Sequence, residues 1–172
     1  MAPHSQYPSS IFGLVARRLV SIFKPKSLLS ETIPSDGDRL ARERRSVFLR
    51  HLDCGSCNGC ELELNALSNP LYDSERFGVK FEASPRHADI LMLTGVFTRN
   101  LAEAADLTFA AMSEPRQIIT VGDCAKDGGI FRDSYAVVRK PEKIESAIVD
   151  HVRGCPPAPA DILRVLAQMN RG

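Results

Sequence analysis

The chain has 172 residues, 44% of them hydrophobic and 25% charged, with a formal net charge of +1. That composition suits one globular core, with or without an extension. At 6% aromatic residues and no tryptophan, the chain offers no platform for stacking bases, so nucleic acid is not an expected partner. No run approaches the ~20 apolar residues of a membrane-spanning helix.

The small net charge conceals an asymmetry. Four of the 22 bases (Arg17, Arg18, Lys24, Lys26) precede the first acid, Glu31, which leaves 18 bases against 21 acids in the rest. Between Ser10 and Phe23 the apolar residues Ile11, Phe12, Val15, Leu19, Ile22 and Phe23 recur every three or four positions. This spacing predicts a short amphipathic helix, so that residues 10–24 could meet a membrane surface or a partner's groove. Packing on the chain's own domain, or an organellar transit segment, would also suit a basic, acid-free start. Arg17-Arg18 interrupts the apolar run, and no secretory signal is evident. Residues 31–45 read as a linker. Residues 1–45 are thus expected to be an extension, and residues 46–172 an α/β domain.

Ser46 to Leu52 predicts a first strand running straight into Asp53-Cys54-Gly55-Ser56-Cys57-Asn58-Gly59-Cys60. Cys60 to Leu67 has helical spacing and stops before Asn69-Pro70. Phe77 to Ala83 reads as a second strand. Asp89 to Gly95 is nearly all apolar, as in a strand buried on both faces of a parallel sheet. Leu101 to Met112 is Ala-rich and helical, and Gln117 to Gly122 is a further buried strand leading to Cys124. Glu142 to Val152 is ambiguous: it could open as a helix at Lys143 and close as a strand from Ile148, leading to Cys155. Ala158 to Met169 is a closing helix entered through prolines. Strands alternating with helices predict a mostly parallel sheet flanked by helices. Each cysteine loop follows a predicted strand, so all three should meet at the carboxyl edge of the sheet, where such folds bind ligands.

Five cysteines, three of them within seven positions, favour metal or redox chemistry over a disulfide framework in a chain with no export signal. A four-iron cluster needs four thiolates on compact backbone. Cys57 and Cys60 supply a two-residue spacer, Cys124 is flanked by glycines, and Cys155 precedes Pro156-Pro157. A structural zinc site usually draws on two close cysteine pairs, and only one such pair stands apart from the single cysteines 124 and 155. Iron–sulfur chemistry is the favoured reading; structural zinc and thiol redox chemistry stay open on spacing alone.

Four motifs in one order carry a resemblance: Cys57-Asn-Gly-Cys60-Glu-Leu-Glu63, Ser84-Pro-Arg-His-Ala-Asp-Ile-Leu91, Gly122-Asp-Cys124 with Gly128-Gly-Ile-Phe131, and Gly154-Cys-Pro-Pro157. Over residues 46–170 the chain resembles the small, electron-transferring subunit of membrane-associated energy-converting [NiFe] hydrogenases, the formate hydrogenlyase small-subunit type. The same superfamily holds the 20 kDa (B) subunit of respiratory complex I. The resemblance implies a flavodoxin-like domain carrying one [4Fe–4S] cluster on Cys57, Cys60, Cys124 and Cys155, with Cys54 as a spare thiol beside it.

The resemblance further implies a large catalytic subunit as partner, of the hydrogenase or complex I 49 kDa type, with ferredoxin-like and membrane-arm subunits around it. The complex would sit peripherally on the cytoplasmic side of the plasma membrane. Complex I B subunits resemble this chain but carry adjacent cysteines where it has Gly59-Cys60, which tilts the reading towards the hydrogenase branch. No cysteine-rich segment follows Cys155 in this sequence, so one cluster is expected.

Around the ligands, Glu61 and Glu63 could relay protons or simply favour the positive end of their helix. Arg86 could aim its guanidinium at the cluster or the interface, or form a structural salt bridge. Asp123 could accept a hydrogen bond or face solvent. His51 and His87 read as packing or loop residues, and Lys126 and Asp127 as loop surface.

Overall fold

The computed structural model describes residues 46–169; the expected helix Ser10–Phe23, the linker and the boundary at residue 45 lie outside the described residues. Five strands make one parallel sheet: β1 (Val47–Asp53), β2 (Val79–Phe81), β3 (Ile90–Thr94), β4 (Gln117–Val121) and β5 (Ile148–Val152). Their spatial order is β2-β1-β3-β4-β5, the flavodoxin-like winding with its switch point between β1 and β3. The helices are α1 (Gly59–Ala66), α2 (Ala102–Ala111), α3 (Asp123–Asp127), α4 (Glu142–Glu145) and α5 (Pro159–Met169).

All five residues of β3 are buried, as their unbroken apolar run predicts for a strand covered on both faces. Alternation sends Met92 to one side and Leu91 and Leu93 to the other. Met92 joins Leu49, Ile119 and Val121 under Leu64 of α1 and Ile162, Leu163 and Leu166 of α5. Leu91 and Leu93 join Ile118 under Ala105 and Phe109 of α2 and Ile144 of α4. A truncation such as Leu166→Ala would forfeit roughly 2–5 kcal/mol through lost burial and the cavity left behind.

One predicted strand is shortened in the structure, and one ambiguous stretch is resolved. The second strand begins at Val79 rather than Phe77, because Ser74–Phe77 is a 3-10 turn and Gly78 reverses the chain at φ 76°. The ambiguous stretch 142–152 divides into both candidates: Pro141 starts the short α4, and Ile148 opens β5 beside β4.

The strand register positions the functional edge. Asp53 pairs with Thr94, Thr94 with Val121, and Val121 with Val152. Four adjacent strands therefore end flush, and the segments bearing Cys54–Cys60, Cys124 and Cys155 all leave from that one row.

Candidate metal centre

The first cysteine segment is shaped by its own polar side chains. Asp53 Oδ1 accepts the amides of Gly55 and Ser56, each at 2.7 Å, and Ser56 Oγ accepts the amide of Asn58 at 3.1 Å. Such side-chain-to-backbone bonds compete with regular structure and fix tight turns. Asn58, in the left-handed region at φ 66°, then opens α1, which carries Cys60 in its first turn. Cys124 lies in the single turn of α3, directly beyond β4. The third segment, Gly154-Cys155-Pro156, meets the second through Asp123, whose carboxylate accepts the Gly154 amide at 3.0 Å.

The structure brings Cys57, Cys60, Cys124 and Cys155 around one cavity of about 100 Å³, closed by Phe131, Pro156 and glycine backbone. Burial, followed by the Glu61 carboxylate and the other three thiols, pushes the Cys60 thiol up to about 12. Cys124 is also raised, first by burial and then by Cys155 and Cys57. Cys60 and Cys124, whose ionisation burial and neighbouring charge oppose, give up their protons most readily to a strongly positive centre.

The backbone accommodates this grouping. Gly122 sits at φ 87° and ψ 152°, a region open essentially to glycine, and a Cβ there would stand 2.5 Å from Cys60 Sγ. Among the described residues, no three His, Cys, Asp or Glu side chains stand where they could hold a single metal ion. Thiolates sharing one tetrahedral zinc lie roughly 3.8 Å apart, given the zinc–sulfur distance of about 2.3 Å. A four-iron core instead takes one thiolate at each of four separated corners. Four thiols lining one cavity supply the donor number that either group takes.

The structure separates the fifth cysteine from these four. Cys54 is 1% exposed and packs with Leu91, Leu93 and Phe97. Burial and the neighbouring Asp53 push its thiol up to about 12. Its carbonyl accepts Thr98 Oγ1 at 2.7 Å and the Thr98 amide at 3.0 Å, which ties the loop to the segment after β3.

The expected surroundings of the site divide in the same way. Both carboxylate oxygens of Glu61 are buried without a hydrogen-bond partner, and the nearest cationic candidate is His51 Nε2, 3.7 Å from Oε1. Glu63, two residues further along α1, projects elsewhere, because positions i and i+2 of a helix do not share a face. His51 is more than packing: its Nε2 also lies 2.9 Å from Thr94 Oγ1.

Arg86 is not at the site. It precedes β3, its carbonyl accepts Ser113 Oγ at the far end of α2, and its side chain is exposed. The five residues of β3 at ~3.3 Å each place it roughly 16 Å from the cysteine edge. His87 shares that remote turn. Asp123 does both things expected of it: its carboxylate bridges two cysteine segments while its side chain stays exposed to solvent. The sequence assigns no role to Asp53, Ser56, Thr98 or Phe131, although Phe131 closes one of the motifs; Asp53, just ahead of a Gly-Ser turn, carries a local signal for its part.

The model of the NADH ubiquinone oxidoreductase 20 Kd subunit family matches residues 57–169, and the chain belongs to that family. It is an oxidoreductase subunit of the hydrogenase and NADH–quinone oxidoreductase superfamily. Among curated relatives, formate hydrogenlyase subunit 7 of Escherichia coli is 44% identical over 124 residues, which make up 72% of this chain and 48% of that protein. The chain thus spans about half the length of that relative. The protein named "Probable membrane-bound hydrogenase subunit mbhJ" of Pyrococcus furiosus is 42% identical over 119 residues, 69% of this chain and 71% of that one.

Among solved structures, a subunit of the archaeal membrane-bound sulfane sulfur reductase superposes with a TM-score of 0.60 at 24% identity, covering 78% of this chain and 76% of that one. At that identity the likeness speaks to the fold. No helix among the described residues is long and apolar enough to cross a membrane.

Proposed function

We propose that this chain is the electron-transferring small subunit of a membrane-associated, hydrogenase-like complex, holding one [4Fe–4S] cluster on Cys57, Cys60, Cys124 and Cys155. The observation that carries this reading is the meeting of four thiols from three separate segments around one cavity, with Cys54 turned into the core. The cluster would supply one-electron transfer to or from the reacting centre of a larger catalytic subunit. The chain's own part is placement. Asp53 and Ser56 shape the first segment, Asp123 joins the other two, and the apolar core backs Cys60, while Cys57 and Cys155 lie exposed for a partner to cover.

A partner surface fits the same edge. Leu62, Ile130 and Phe131 are 67%, 84% and 43% exposed beside the cysteine segments, where apolar side chains in the open call for protein cover. The names of the relatives, subunits of a formate hydrogenlyase and of a probable membrane-bound hydrogenase, support a hydrogenase-type partner at a membrane; ferredoxin-like and membrane-arm neighbours and a peripheral, cytoplasmic place belong to the proposal itself. The family model keeps the complex I alternative in view, in which the partner would reduce quinone. The separated Cys57/Cys60 pair favours the hydrogenase branch.

Iron and acid-labile sulfide measured on the full-length chain test the proposal. About four of each per chain are expected, falling towards zero in Cys124→Ala. A single zinc, or an intact four-iron spectrum in Cys124→Ala, would overturn it. The sequence of the co-purifying large subunit separates the branches, since cysteine pairs fit to bind nickel–iron mark a hydrogenase.

A further inference from the structure

A second and larger cavity, of about 330 Å³, shares Cys124 with the first, and its size falls in the range of small-molecule sites, about 300–1,000 Å³. Its wall is cationic: Lys126, Arg132, Arg139 and Lys140 line it against two acids, Asp127 and Glu145. Two of the four bases are engaged. Arg132 pairs with Asp127 at 3.1 Å, while Lys140, its side chain only 10% exposed, donates to the Lys126 carbonyl at 2.8 Å and lies 3.9 Å from Glu145. The side chains of Lys126 and Arg139 make no hydrogen bond or salt bridge among the described residues. They account for the excess positive charge.

The frame of this cavity is built rather than loose. The Val138 amide donates to the Phe97 carbonyl and the Arg99 amide to the Ala136 carbonyl, both at 2.9 Å, flanking a bridge between Thr98 and Val137. The segment that carries Arg139 and Lys140 is thereby pinned to the loop after β3. On the other side, the Gly128 amide donates to the Cys124 carbonyl at 3.0 Å and the Gly129 amide to Asp127 Oδ1 at 3.0 Å, which holds the turn bearing Lys126.

We infer that this cavity is a binding site for a small oxyanion of the phosphate class, held by the free charges of Lys126 and Arg139 over the buried ammonium of Lys140. A guanidinium offers paired donors in a planar fork and an ammonium offers a point charge, the combination that phosphoryl oxygens take up in preference to apolar ligands. A free phosphate and the phosphoryl group of an anionic lipid present the same oxygens. The inference rests on the cavity and its charges, independently of what the four thiols hold.

Equilibrium dialysis of the full-length chain, with its co-purifying subunits, against radiolabelled inorganic phosphate tests the site. Saturable binding of one phosphate per chain is expected. Lys126→Ala and Arg139→Ala should each weaken it roughly tenfold, in keeping with the loss of one charge-assisted contact. Arg139→Lys should restore part of it. Lys143→Ala removes an equal charge from a residue paired with Asp106 at 3.0 Å, outside the cavity, and should leave binding unchanged. Flotation with phosphatidylglycerol vesicles, against phosphatidylcholine vesicles, forms the second arm. Capture by the anionic vesicles that Arg139→Ala abolishes, without binding of free phosphate, assigns the oxyanion to a lipid headgroup. Absence of both, or equal losses in Lys143→Ala and Arg139→Ala, overturns the site. Iron content measured on the same samples reports separately on the thiols.

Discussion

Asp123 and Gly154, 31 positions apart, exchange two hydrogen bonds: the Asp123 amide donates to the Gly154 carbonyl at 2.9 Å, and the Gly154 amide donates to Asp123 Oδ1 at 3.0 Å. Each residue is the immediate neighbour of a cysteine, Cys124 in one case and Cys155 in the other. The pair therefore sets the separation of two thiols that come from different strands.

Asp123→Ala removes only the side-chain half of this exchange. Because the bond is solvent-exposed, the expected loss of stability is modest, about 1 kcal/mol. The expected loss of bound iron is larger, because the Cys155 segment is freed from the Cys124 turn. Asp123→Asn keeps an acceptor at the same position and should retain most of the iron. Urea unfolding together with iron analysis checks both variants, and equal iron in wild type and Asp123→Ala would refute the role.

Gly122→Ala places a methyl group against Cys60 Sγ and adds backbone strain of roughly 1–3 kcal/mol. Gly78→Ala imposes comparable strain at φ 76° in the turn before β2, remote from the cysteines. Both variants should melt at lower temperature than wild type, but only Gly122→Ala should also lose bound iron. A matching loss of iron in Gly78→Ala would show that destabilisation alone is responsible.

Cys54→Ala should keep its full complement of iron and sulfide. The side chain is 1% exposed within the apolar cluster under α2, so losing its sulfur should cost about 1 kcal/mol of stability through lost packing. A fall in iron to half or less would return Cys54 to the ligand set.

Burial holds His51 and His151 below their ordinary value of 6.5. Near pH 6 the native chain thus binds fewer protons than the unfolded chain, and stability rises with pH in that range. The contribution is complete above 6.5 and is lost as the pH falls through 6.5 towards the lower native values. The double variant His51→Gln, His151→Gln should have a flatter urea midpoint between about pH 5 and 7. Its slope, not its absolute stability, is the readout, since Thr94 and Thr120 lose their imidazole partners. Parallel curves for wild type and variant would refute the assignment.

The buried strands were legible because apolar runs of that length have one physical explanation in an α/β chain: Asp89–Gly95 contains β3, and Gln117–Gly122 contains β4. That the cysteine segments leave from one edge followed from each coming after a strand. What the sequence withheld depends on contacts across the fold. Thr98 secures the Cys54 carbonyl from 44 positions away, and nothing local to threonine announces it. Arg86 sits in a family motif, yet its place before β3 puts it at the opposite edge, which only the parallel topology reveals. Lys126 reads as ordinary loop surface, and nothing local marks Arg139, until the ladder between residues 97–99 and 136–138 closes a cavity around them.

The flush row Asp53-Thr94-Val121-Val152 also fixes when the site can come into being. A nascent chain that has released β1 to β4 presents at most three of the four thiols, and the fourth arrives only when β5 pairs with β4. On the proposed reading, metal delivered before that moment meets an open corner, so maturation has to follow translation of the last strand. Factors that load iron would then select chains by whether this final strand has docked, and the edge of the sheet would serve as its own checkpoint for assembly.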